Sequence, residues 1–159
     1  MAWVEPIAET DEPQRAFELL GGLRTLRKLI RTPLETHDLI YAGLPVRALD
    51  HLVSGLHILR HSDQAMELAV GISSRTYYRR KKDLAGKPLS REQSGRVWKF
   101  AEVLGRATAL FGSQEAAEHW LEAPAIGLDQ RRPIDLLSTP AGVETLETHL
   151  SRIEYGVYA

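Results

Sequence analysis

Residues 62–82 read Ser62-Asp63-Gln64-Ala65-Met66-Glu67-Leu68-Ala69-Val70-Gly71-Ile72-Ser73-Ser74-Arg75-Thr76-Tyr77-Tyr78-Arg79-Arg80-Lys81-Lys82. Ser62 offers a side-chain oxygen to cap a short helix that carries Met66 and Ala69 on one side. Gly71 breaks that helix, because glycine takes the positive φ of a sharp turn without a steric cost. Ile72 is apolar, as a turn pinned to a core requires. Ser73 or Ser74 caps a second helix, which runs through Lys82. Two short helices about a glycine turn predict a helix-turn-helix over about residues 62–82.

The second helix has the composition of a recognition helix. Ser73, Ser74, Arg75 and Thr76 place short donors and one guanidinium in its first turn, where amide N–H groups favour phosphate and side chains meet base edges. Arg75 has the two-pronged donor geometry that fits guanine. Tyr77, Arg79, Arg80 and Lys82 suit the sugar-phosphate backbone. Basic residues at four successive positions, 79–82, spread around a helix, so not all of them face one ligand. From position 75 to 91 there are seven basic residues against Asp83 alone, a local charge of +6, while the whole chain carries −1. The rest therefore sums to −7. A compact cationic patch on an acidic body argues for phosphate contact over a solvated structural face. Glu67 stands four residues before the turn glycine, where crossing helices usually place a small residue. Either the helices splay or the register differs by one residue.

Outward from this unit the pattern stays helical. Residues 1–13 carry Glu5, Glu9, Asp11 and Glu12 with Pro6 and Pro13, and read as a disordered acidic tail. Phe17, Leu20, Leu23, Leu26, Leu29 and Ile30 recur at helical spacing, with a kink or a division into two short helices at Gly21-Gly22 and an end at Pro33. Thr36 is placed to cap a helix through Tyr41, stopped by Gly43. Pro45 suits the first turn of the next, whose apolar face is Val46, Leu49, Leu52, Val53 and Leu56. After a turn at Gly86-Lys87-Pro88, Ser90 and Gln93 form a capping-box pattern. They open the longest helix, to about Leu110, with Val97, Phe100, Ala101, Leu104 and Ala107 inward and Gly112 at its end. Ser113 caps a helix carrying Ala116, Ala117, Trp120 and Leu121. Pro133 starts a short turn that tucks in Ile134, Leu136 and Leu137. A last helix from about Ala141 carries Val143, Leu146, Leu150 and Ile153. No alternating strand pattern occurs. The expected class is all-α, with a helical region over 14–89 holding the helix-turn-helix and a second helical domain over 90–159.

Several function classes drop out. The chain has no cysteine, which removes disulfides, thiolate metal sites and thiol nucleophiles and fits a reducing cytoplasm. No apolar run reaches bilayer length and no signal pattern opens the chain, so a cytoplasmic protein without membrane contact is expected. His57 and His61 are four apart, but with His51 and Asp63 they match no metal motif, so no metal is expected. No nucleophile elbow, phosphate loop or dinucleotide fingerprint is present. Neither a catalytic residue nor a cofactor is expected.

The far end is more specific. Leu110-Phe111-Gly112-Ser113, Ala116-Ala117 before Trp120-Leu121, Pro133-Ile134-Asp135-Leu136-Leu137 and Ile153-Glu154-Tyr155-Gly156-Val157 follow one another in order. This set resembles the toxin-binding domain of the Xre/ParS/MbcA antitoxins, partners of RES-domain toxins. The Gly71-Ile72-Ser73 turn with Arg75-Thr76, and Ser94 with Arg96, resemble that family's middle region, so the resemblance spans roughly 44–159. It implies a Cro/Xre-like helix-turn-helix that binds operator DNA through residues 73–82 and represses its own operon. It also implies an antitoxin that blocks an NAD-consuming toxin with Arg152, Glu154, Tyr155, Gly156, Val157, Tyr158 and Ala159. Two tyrosines and a valine in the last five residues suit insertion into a pocket better than a frayed polar end does. Operator half-sites related by symmetry imply a homodimer, open to higher assembly with the toxin. Two alternatives share the same helix-turn-helix. One is a stand-alone transcription regulator with a C-terminal sensing or dimerisation domain. The other is a pure inhibitor that has lost DNA binding.

Overall fold

The computed structural model describes residues 11–156, and all its regular structure is helical. In chain order the helices are α1 (Asp11–Leu19), α2 (Gly22–Leu26), α3 (Pro33–Ala42), α4 (Val46–Gly55), α5 (His57–His61), α6 (Asp63–Val70), α7 (Ser74–Lys81), α8 (Arg91–Phe111), α9 (Gln114–Glu122) and α10 (Pro140–Glu154). Two 3-10 turns, Ile126–Leu128 and Pro133–Leu136, lie between α9 and α10. One isolated antiparallel bridge joins Ala125 to Arg131.

α8 is the axis of the molecule. Ser90 caps it and Gln93 reaches back to the Ser90 N–H, closing the box that its sequence predicts. Gly112 ends it with φ 89°. α1, α3, α6, α9 and α10 all pack on it. An amphipathic helix would bury one stripe. α8 also buries Trp98 and Val103, which lie off the stripe read from the sequence, because neighbours cover it on several sides. One continuous core runs from Ala16 to Leu150 through Leu49, Met66, Phe100 and Leu121.

Two boundaries differ from the sequence reading. Asp11, Glu12 and Pro13 belong to α1 and not to a tail; residues 1–10 of that tail lie outside the described residues. The segment over 15–30 divides at Gly21 and Gly22, which take φ 98° and 62°, in agreement with the two short helices that the glycine pair allows. α3 starts three residues before the expected cap at Thr36. Thr32 is its N-cap, Pro33 takes the first turn and Glu35 completes a capping box. Proline has no N–H to lose at that position, so there it opens a helix.

Candidate functional site

The helix-turn-helix consists of α6 and α7. Ser62 caps α6 by accepting the Ala65 N–H at 3.1 Å. Gly71 closes it in the left-handed region, φ 69°, and its N–H returns to the Glu67 carbonyl at 3.0 Å. Ile72 is buried beneath the turn. Ser73 caps α7 by accepting the Thr76 N–H at 3.1 Å, and its hydroxyl donates to Thr76 Oγ1 at 3.0 Å. Glu67 points to solvent, while Ala65, Met66, Ala69 and Val70 carry the packing of α6. The carboxylate therefore does not obstruct the helix crossing.

The side chains of α7 divide sharply. Tyr77 is 2% exposed, and its hydroxyl donates to Asp50 Oδ1 on α4 at 2.6 Å. Burial, followed by the Asp50 hydrogen bond and charge, pushes its phenol far above the ordinary range. Lys81 completes this strut, 3.4 Å from Asp50 Oδ1 and 5.8 Å from the Tyr77 ring centre. The expectation that Tyr77 touches DNA is thus corrected, because its polar end is held inside. Arg80 is half-buried and donates to the Lys87 and Pro88 carbonyls, bracing the turn after α7. Arg75, Tyr78, Arg79 and Lys82 are exposed, and Ser73, Ser74 and Thr76 are half-buried at the start of the helix. Positions 75, 78, 79 and 82 follow helical spacing, so they form one outward stripe. Tyr78, 58% exposed, belongs to that stripe although the sequence reading passed over it. The available signal was its place three residues after Arg75.

Arg96 of α8 holds this unit from behind. Its guanidinium donates to the Leu68 carbonyl at 2.8 Å and reaches the Glu67 carbonyl at 3.5 Å, near the C-terminal end of α6. A cation is favoured there by the helix dipole. A Cβ on Gly71 would strike this guanidinium. Ser94, two residues earlier and fully buried, accepts the Leu44 N–H at 2.8 Å.

The opposite half is built from α9, the 3-10 turns and α10. Ala117 and Leu121 are fully buried, and Trp120 lies half-buried against Phe111 with ring centres 5.5 Å apart. Ile134 and Leu137 tuck inward as expected. Gly142 lets the start of α10 approach the Leu136 carbonyl closely enough to exclude a side chain. Arg106 of α8 donates to the Glu147 carbonyl at 3.3 Å, Ser151 Oγ at 2.6 Å and Glu154 Oε2 at 3.2 Å, tying the end of α10 to the axis. His149 is buried, and burial followed by the nearby Arg152 charge lowers its pKa.

Of the residues expected at the toxin-facing end, Arg152, Tyr155 and Gly156 are exposed, Tyr155 at 79%. Glu154 is exposed too, but its carboxylate is engaged by Arg106. Val157, Tyr158 and Ala159 lie outside the described residues. His57 and His61 lie close together on α5, ring centres 4.1 Å apart and planes tilted by 34°. No group of three metal-ligating side chains occurs among the described residues. Nor is any helix among them long and apolar enough to cross a membrane.

Comparison with known proteins agrees with this two-part layout. The Antitoxin Xre-like helix-turn-helix domain matches residues 35–102, and the Antitoxin Xre/MbcA/ParS C-terminal toxin-binding domain matches residues 106–156. The two spans meet inside α8. The chain is 32% identical to "Antitoxin Xre" of Yersinia enterocolitica over 77% of its own length and 80% of that protein. It is 27% identical to "Prs ADP-ribosylating antitoxin" of Sphingobium over 80% and 83% of the two chains. A shorter match, 30% identical over 43% of each chain, is to "Antitoxin Xre" of Pseudomonas putida. A helix-turn-helix and a toxin-binding domain sharing one central helix, with similarity across most of the chain, make this protein a member of the Xre/MbcA/ParS antitoxin family.

Proposed function

We propose that this antitoxin neutralises a RES-type, NAD-degrading toxin by seating the segment 152–159 at the entrance of the toxin's active site. We further propose that, as a homodimer, it binds operator DNA through α7 and represses its own operon. Its role is inhibition of a partner enzyme and not catalysis. The observation that carries the first part is the end of α10. Arg106 holds that helix in place, while Tyr155 stands 79% exposed just beyond it, aimed away from the chain's own core. An aromatic side chain presented on a rigid support is well suited to anchor an interface. One relative's name refers to ADP-ribosylation, and transfer of ADP-ribose draws on NAD, which favours an NAD-consuming partner.

The second part rests on the stripe Arg75, Tyr78, Arg79 and Lys82 beside the capped start of α7. The expected contacts are Arg75 to a base edge and Arg79 and Lys82 to phosphates, with Ser73, Ser74 and Thr76 at the helix entry. Symmetry of half-sites calls for two copies.

The test is co-expression of the toxin encoded beside this gene with the full chain and with a chain truncated after Ser151. Growth rescue by the full chain alone is the expected result. Equal rescue by both removes the segment 152–159 from the role of plug, and failure of both removes the antitoxin mechanism. Operator binding is checked by titration at rising salt, where loss of affinity with a steep slope is expected.

A further inference from the structure

Ile126 is the most exposed large hydrophobic side chain among the described residues, at 87%. It stands on the loop over 125–131, and that loop is tightly built. The Ala125 N–H donates to the Arg131 carbonyl at 3.2 Å, and the Gln130 N–H returns to the Ala125 carbonyl at 2.9 Å. The Leu128 and Asp129 N–H groups close the 3-10 turn onto Ala125 and Ile126 at 3.1 Å each. Leu128, two residues on from Ile126, is buried and anchors the loop from below. Asp129 and Gln130 both adopt left-handed backbone, φ 57° and 60°, although neither is glycine. Such conformations persist only where surrounding structure enforces them, and they gather at binding sites. Asp129 and Arg131 pair at 3.1 Å, so the loop's own charges cancel around the isoleucine.

The loop borders the end already described. Gly127 faces Thr148, His149 and Arg152 of α10 across a concavity of about 250 Å³. Arg152 and Tyr155 are three residues apart, so about one helical turn separates this concavity from the exposed aromatic. Ile126 is the neighbour in sequence of one residue that lines this hollow, Tyr155 follows another by three, and both exposed side chains lie in the span that matches the toxin-binding domain.

We propose that Ile126 is a second anchor for the toxin: it enters an apolar depression beside the toxin's active-site entrance, and the hollow lined by Gly127 and Arg152 receives the ridge between the two contacts. The placing of the hollow between two contacts rests on the reading of the C-terminal segment as the plug, whereas the contact at Ile126 is tested by itself. The loop is rigid, so it loses little conformational freedom on binding and sets the angle at which the segment arrives.

The test measures binding of the toxin encoded beside this gene to the full chain, Ile126→Asp, Ile126→Ser, Ile126→Val and the chain truncated after Ser151. Tm is recorded for each. Ile126 has almost no contacts to lose, so every variant at position 126 is expected to keep the parental Tm. Ile126→Asp and Ile126→Ser are expected to weaken toxin binding about 10- to 100-fold, the range of a central apolar anchor, with Ile126→Val within about threefold. Binding by Ile126→Asp within about twofold of the parent overturns the proposal. A fall from dimer to monomer in Ile126→Asp with toxin affinity intact also overturns it, since the residue then serves self-association. If the truncated chain silences the toxin while Ile126→Asp binds poorly, the anchor stands and the plug falls. If the full chain itself does not bind the toxin, both fall.

Discussion

Arg96 and Arg106 lie ten residues apart on one helix and perform the same task at opposite halves of the molecule, but with different partners. Arg96 grips two backbone carbonyls near the C-terminal end of α6. Arg106 grips one carbonyl, a serine hydroxyl and a glutamate carboxylate on α10. Backbone acceptors remain whatever residues α6 carries, so the support of the helix-turn-helix tolerates sequence change on its far side. The support of α10 depends on Ser151 and Glu154 as residue types. The helix-turn-helix is therefore braced generically and the half that matches the toxin-binding domain specifically.

The largest expected effect breaks the generic brace. Arg96→Ala leaves two helix-end carbonyls without their charged donor and should cost about 2–3 kcal/mol. For a chain of this size that lowers Tm by roughly 5–10 °C in a thermal melt followed by circular dichroism. Ser151→Ala removes one acceptor from Arg106 and should cost about 1 kcal/mol while weakening toxin binding more than operator binding. An equal loss in both assays would erase the distinction between the halves.

Next comes Tyr77→Phe, which deletes the hydroxyl bound to Asp50 and should cost about 1 kcal/mol in the same melt. Operator affinity measured well below Tm should stay unchanged, because that hydroxyl faces inward. The two halves should also part company in pH. Burial lowers the His149 pKa, so protons bind the unfolded chain more readily, and stability falls as pH drops below the ordinary histidine value of about 6.5. Tyr77 is shifted the other way. Its contribution is complete below the ordinary tyrosine value of about 10 and is lost as pH rises above it. Amide exchange should show acid loosening α10 first and alkali loosening α7 first. The smallest change in stability is expected for Arg75→Ala, within about 0.5 kcal/mol, since the side chain lies in solvent. The same variant should lose roughly tenfold or more in operator affinity if Arg75 reads a base.

Much of the fold was legible because its signals are local. Ser62, Ser73, Ser90 and Ser113 each cap the helix that follows, and Gly71 and Gly112 each close one with positive φ. A cap is a contact between neighbours in sequence, so it can be read from neighbours. Thr32-Pro33 with Glu35 carries the same information, but proline ends a helix as readily as it opens one, so the pattern is ambiguous from sequence. Long-range contacts were not legible. Nothing near Tyr77 announces Asp50, and nothing near α8 announces that Trp98 has a neighbour to bury it. The stripe through Arg75, Tyr78, Arg79 and Lys82 is within reach of periodicity alone, although the run of basic residues around it masks the spacing. Ile126 gave no signal, since an isoleucine in a loop reads as buried until the loop is seen to turn it outward.

The continuity of α8 makes the angular relation between the halves a matter of residue count. Each residue added to a helix turns everything beyond it by about 100°. One alanine inserted between Phe100 and Arg106 would point Arg106 away from α10 while Arg96 kept its grip. Hybrid antitoxins, joining one member's helix-turn-helix domain to another's toxin-binding domain, should accordingly work only when the splice preserves the number of residues from Arg96 to Arg106.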